Sequence, residues 1–202
     1  MSKFTIACIA TAALILGGCV SQEKYDASQQ KNAQLEKQYD ASQQKNAELE
    51  KQYQELNQAM SHELGTKEVH ISRMQNAIKV SINSELLFAS GDWEMSDKAK
   101  ETLGKIVTTL APHQVSNIQV NGYTDTTPIG PVLAQKGIPT NLALSEKRAD
   151  TVMKFMVSKG ANPQRISAKG FGEADPVASN DTADGKAQNR RVELTVAPQG
   201  TN

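Results

Sequence analysis

Between Tyr25 and Gln52 the chain writes one 14-residue unit twice, YDASQQKNAQLEKQ then YDASQQKNAELEKQ, with Gln34 against Glu48 as the single change. No Gly or Pro interrupts Val20 through Leu64, and Ala, Gln, Glu, Lys and Leu dominate, so a long helix is the natural local structure. The period is two heptads. With Tyr25 at a, position a also takes Asn32, Tyr39, Asn46, Tyr53 and Met60, while d takes Ser28, Leu35, Ser42, Leu49 and Leu56. Half of that seam is polar. Such a stripe either pairs with a second copy as a homo-oligomer, its asparagines setting register at a cost in stability, or stays a solvated single helix or partly disordered tether. Either way residues 19–65 read as a spacer, since about 43 helical residues at ~1.5 Å each reach roughly 65 Å.

Ahead of the repeat, Lys3 is followed by an uncharged apolar run from Phe4 to Leu16, too short to span a bilayer as a helix. Leu16-Gly17-Gly18-Cys19 then resembles the bacterial lipobox, which implies a signal peptide over 1–18 and a mature chain that begins at a lipidated Cys19. Cys8 lies in the removed peptide, so Cys19 is the one thiol left and no internal disulfide can form. A thioether-linked diacylglycerol with a further acyl chain such as palmitate exceeds the two-signal requirement for stable anchoring. Val20 and Ser21 follow Cys19 in place of the aspartate that retains such proteins in the inner membrane. The expected location is therefore the outer membrane, lipid-anchored and facing the periplasm.

Lys+Arg 22 against Asp+Glu 22 leaves no net charge to gather phosphates, so a nucleic-acid partner has no compositional support. His62 and His70 stand eight apart and His113 lies far along the chain, a spacing unsuited to a metal site. Neither a Ser/His/Asp order nor a cofactor motif appears, which argues against an enzyme.

Beyond a linker at 66–79, periodicity alternates between strand and helix over 80–197, with 198–202 as a tail. Val80, Ile82 and Leu86-Leu87-Phe88 read as a strand. Ala99, Leu103, Ile106, Val107 and Leu110 form one face of a helix that starts near Ser96 and ends at Pro112. Ile118 and Val120 alternate into Gly122-Tyr123-Thr124-Asp125, and a Pro/Gly-rich loop runs from Thr126 to Thr140. Leu142, Ala149, Val152, Met153 and Met156 mark a second helix. Ile166 and Ala168, and later Val192, Leu194 and Val196, complete a sheet with helices on one face, an α+β arrangement.

Asp125 at a strand's end and Arg148 on the second helix suit a small zwitterion, because a carboxylate takes an ammonium and a planar guanidinium takes a carboxylate through two parallel hydrogen bonds. Diaminopimelate in peptidoglycan stem peptides presents that pair of groups. On a helical wheel Arg148 falls about a quarter-turn from the apolar stripe, which places it on a rim.

Four segments in order, Gly122-Tyr123-Thr124-Asp125, Asn141 through Ala149, Gly170-Phe171-Gly172-Glu173 with Pro176, and Asn189 through Leu194, resemble the OmpA C-terminal-like peptidoglycan-binding domain. The resemblance covers about Val80 to Val196. It implies a two-layer βαβαββ fold that holds peptidoglycan noncovalently, with Asp125 and Arg148 on diaminopimelate and supporting roles for Thr127, Asn141, Leu144 and Arg191. Position 89 departs from the family, being alanine where many relatives carry an acid. The loop after Asp125 is longer than in the peptidoglycan-associated lipoprotein and looks more like that of the flagellar motor stator B subunit. The implied function is a tether between outer membrane and wall. The alternative is a periplasmic regulator or assembly factor that docks on a protein partner through the same domain or the helical repeat.

Overall fold

A computed structural model describes residues 22–64, 68–113 and 116–198. The expected signal peptide and Cys19 lie outside them. The chain divides into two units, 1–42 and 43–202.

Five strands, β1 (Val69–Arg73), β2 (Ile78–Asn83), β3 (Ser116–Gly122), β4 (Ile166–Gly170) and β5 (Arg191–Pro198), form one sheet in the order β1-β2-β5-β3-β4. Every pairing is antiparallel except β3 with β4, which run parallel with Ile118 opposite Ile166 and Gly122 opposite Gly170. A parallel pair needs a crossover. It is supplied by α6 (Asn141–Ser158), while α4 (Asp97–Leu110) links β2 to β3. Ser96 and Thr140 cap these two helices by accepting from the N–H groups of Ala99 and Ala143.

Alternation along the strands decides the layers. Ile78, Val80 and Ile82 of β2 and Val192, Leu194 and Val196 of β5 join the buried cluster that holds Leu103, Ile106, Val152 and Met156 of the helices. Lys79, Arg191 and Glu193 point to the other face. The two-layer α+β fold with a long N-terminal helix is the one expected.

Several local expectations change. Leu86-Leu87-Phe88 does not extend a strand: Asn83 accepts from the Glu85 N–H and starts a single helical turn, α3 (Ser84–Leu87). The segment expected as a linker carries β1, whose Val69 and Ile71 are buried against the core. The short helix α5 (Pro131–Gln135) interrupts the expected loop from Thr126 to Thr140, and a further short helix, α7 (Ala183–Asn189), precedes β5. Leu142, expected on the apolar face, is 49% exposed at the first turn of α6.

The largest correction concerns the spacer. Helix α1 (Gln22–Ala59) and the turn α2 (Ser61–Leu64) follow the expected helical stretch, but Leu49, Leu56 and Met60 belong to the domain's own hydrophobic cluster, with Tyr53 packed against it. Glu50 also reaches Arg73 of β1. From Leu49 onward the a/d seam is therefore satisfied within the chain and is closed to a coiled-coil partner. Burying three such side chains contributes roughly 1.5–3 kcal/mol each. A heptad pattern records only that one helix face is apolar; here the surface that meets it is the domain. Among the described residues no helix is long and apolar enough to cross a membrane.

Candidate functional site

The carboxyl end of β3 is pinned before it reaches Asp125. Tyr123 N–H donates to Arg191 O at 2.9 Å, and Thr124 N–H donates to Gly172 O at 2.7 Å. Above it, α6 comes unusually close. A Cβ at Gly122 would lie 2.3 Å from the Ser145 carbonyl oxygen, and one at Gly170 would lie 2.4 Å from the Glu146 nitrogen. Only glycine permits that approach, which seats the first turns of α6 directly on the ends of β3 and β4.

The result is a cleft of about 450 Å³ that contains Asp125, Thr127, Asn141, Leu144 and Arg148, five of the six expected binding residues. Asp125 is 5% exposed. Its Oδ1 accepts from the Thr127 N–H at 2.8 Å, and its Oδ2 accepts from Arg190 Nη1 at 2.6 Å. Burial pushes the carboxyl up, but the hydrogen bonds from Arg190 and Thr127 outweigh it and hold Asp125 below the usual carboxylate range. Asn141 Nδ2 donates to Thr127 O at 3.1 Å and Asp125 O at 3.3 Å, so it clamps the loop that carries the acid. Leu144, 6% exposed, is an apolar wall.

Arg148 departs from its expected rim position. It is 5% exposed, its Nε donates to Asp92 O at 2.9 Å, and its guanidinium lies 5.2 Å from the centre of the Phe88 ring. The wheel of α6 alone cannot register Phe88, which arrives from the end of α3. Gly91, at φ +67°, closes the turn that presents Asp92 O. Burial lowers the guanidinium to about 10, and the nearby Arg190 adds to the effect, yet it stays protonated at neutral pH. No carboxylate among the described residues lies within ion-pair distance of it.

Arg191 is the expected residue that the fold sends elsewhere. Its guanidinium stacks 3.8 Å from the Tyr123 ring centre, donates to Glu193 Oε1 at 2.9 Å and lies on the sheet face away from the helices. The neighbour Arg190 takes its place in the cleft, bridging Asp125 to Glu85. Strand alternation carries the signal, since Arg190 shares parity with the core residues Val192 and Leu194, whereas Arg191 shares it with Glu193. Asn189, fully buried, fixes the approach by accepting from the N–H groups of Val177 and Ala178 at 2.8 and 3.0 Å and donating to Ala178 O and Asn180 Oδ1.

A larger cleft of about 780 Å³ opens at the opposite end of the sheet, and among the described residues Arg165 is the one charged side chain in its lining. Chemistry, not volume, selects the cleft at Asp125 and Arg148.

A mixed sheet with crossover helix α6 thus carries a strand-end carboxylate and a buried helical arginine in one cleft. The chain belongs to the OmpA family, whose model matches residues 87–190. The probable lipoprotein YiaD of Escherichia coli (strain K12) is 35% identical over 130 residues, covering 64% of this chain and 56% of that protein. The peptidoglycan-binding protein ArfA of Mycobacterium tuberculosis is 32% identical over 123 residues, covering 61% of this chain and 35% of that protein. The chain thus matches little more than half of the first relative's length and about a third of the second's. The solved structure of the cell wall anchor of the T6SS from Pseudomonas aeruginosa superposes with a TM-score of 0.65 at 28% identity, covering 71% of this chain and 97% of that one.

Proposed function

We propose that this chain binds peptidoglycan noncovalently through the diaminopimelate of stem peptides and, anchored by a lipidated Cys19, tethers the outer membrane to the cell wall from the periplasmic side. One observation carries the reading: the buried Arg148 guanidinium has a backbone carbonyl but no carboxylate as partner, and it faces the same cleft as Asp125. A ligand carboxylate completes the first and a ligand ammonium the second. Residues 1–18 act as the signal peptide, and the stretch from 19 to 42 serves as the spacer. The naming of a mycobacterial relative as peptidoglycan-binding supports the ligand class, and the naming of a relative as a probable lipoprotein supports the anchor. The role is a grip, with no bond made or broken.

The test is co-sedimentation of the full chain, purified in detergent, with isolated sacculi. Wild type is expected to pellet, and Asp125→Ala and Arg148→Ala to stay in solution while circular dichroism shows both folded. Each variant strands one charged end of the ligand, a loss of about 2–5 kcal/mol. Retained pelleting in both variants would remove the site assignment. For the anchor, Cys19→Ser is expected to move the protein from the membrane to the soluble periplasmic fraction; membrane retention would contradict it.

A further inference from the structure

The charges in the cleft are unevenly arranged. Asp125 is matched at 2.6 Å by Arg190, so these two cancel. The other edge of the same guanidinium meets Glu85, through Nη2 and Oε1. A planar fork with nitrogens on two edges can hold two carboxylates at once. Two acids then share one cation, and this end of the cleft carries a net negative charge. Arg148, at the other end, is a cation with no acid in ion-pair range.

We propose that Glu85 is the residue that makes this cleft select an amine, by restoring to the Asp125 end the negative charge that Arg190 cancels. The proposal rests on the diaminopimelate reading and adds the residue that reads the ligand's ammonium. Without Glu85 the end would be a neutral Asp–Arg pair, offering a hydrogen bond but no net attraction. The placement comes from local sequence: Asn83 caps the Glu85 N–H and fixes this residue in the first turn of α3, at the mouth of the cleft. Ala89, further along the same segment, supplies no acid of its own. The competing explanation is a surface ion pair of little consequence, since the Glu85 side chain is 65% exposed. Two ligands separate the explanations.

The full chain in detergent is titrated calorimetrically with meso-diaminopimelate and with pimelate, which has the same carbon chain and carboxylates but no amines. Wild type is expected to prefer diaminopimelate. Glu85→Gln is expected to lose about three- to fivefold for diaminopimelate, the size of a partly screened charge interaction, with pimelate unchanged or improved. The gap should narrow with added salt. An unchanged affinity for diaminopimelate, or an equal loss for both ligands, overturns the role given to Glu85 while leaving the diaminopimelate reading intact. A wild type that binds neither compound removes that reading and this proposal together.

Discussion

Arg190 Nη1 lies 2.6 Å from Asp125 Oδ2, so the carboxylate that the sequence offers to a ligand is already paired within its own chain. Burial alone would make Asp125 reluctant to ionise; the hydrogen bonds from Arg190 and Thr127 reverse that tendency. The Asp125 carboxyl is thus ionised and held in a fixed position, as the proposed contact with a ligand ammonium requires. Such preorganisation lowers the cost of binding.

Replacing Arg190 with alanine should expose the opposing effect. With the guanidinium gone, burial dominates and the Asp125 carboxyl should titrate higher than in wild type, as followed by carboxyl-carbon NMR. Stability at neutral pH should fall by about 1–3 kcal/mol in urea denaturation, because a buried acid is left short of a partner. An unmoved Asp125 titration would show that Thr127 alone holds it ionised.

On the far face of the sheet, Glu193 accepts from Arg191 at 2.9 Å and lies 3.1 Å from Lys79. Burial raises its carboxyl, and the two cations outweigh burial and bring it below the usual value. A depressed folded-state value gives stability that is present above the unfolded value of about 4.3 and lost as pH falls through the folded one. Glu193→Gln should therefore be less stable at pH 7 and show a shallower loss of stability on acidification below about pH 4.3. Denaturation midpoints across pH 2–7 measure both; parallel curves would refute the coupling.

How far the sequence could be read depends on whether each signal is local. Asp125 and Arg148 sit on a strand end and a helix whose periodicities are plain, and both fall in the cleft. Arg148 is nevertheless deeper than its own helix suggests, because Phe88 covers it from an element 60 residues away in sequence. Arg191 was legible by strand parity, yet the resemblance to the family pointed to it in place of Arg190. The turn at Leu86 is hidden by a run of apolar residues that suits strand and helix equally; only the Asn83 cap distinguishes them. The cis docking of Leu49 and Leu56 is a tertiary fact that no heptad count contains.

Asn189 illustrates a polar residue whose role is structural though it adjoins the site. All four of its side-chain hydrogen bonds tie residues 177–180 to the end of α7, and Asn180 Oδ1 in turn accepts from Thr126 N–H at 3.3 Å. Asn189→Ala leaves buried backbone groups without partners and should cost about 2–4 kcal/mol in chemical denaturation. Because Arg190 follows directly, sacculus binding should weaken as well. A variant as stable as wild type would contradict this account.

The two copies of the repeat offer a controlled comparison, since Leu35 and Leu49 occupy the same position in nearly identical 14-residue units. Leu35 is 52% exposed and Leu49 is 1% exposed. Within the two units the flanking residues differ only at Gln34 against Glu48, both good helix formers, so the main difference between the leucines is packing. Leu49→Ala should cost about 2–5 kcal/mol, as deletion of a buried leucine does. Leu35→Ala should change stability by less than about 0.5 kcal/mol. Urea denaturation of the two variants at the same protein concentration measures this, and repeating it at tenfold dilution tests the remaining seam. Equal, concentration-dependent losses would mean that both leucines lie between copies of the chain, against the cis docking of α1. A loss confined to Leu49→Ala and independent of concentration assigns this half of the helix to the domain, so that truncation at residue 66 would remove part of the core.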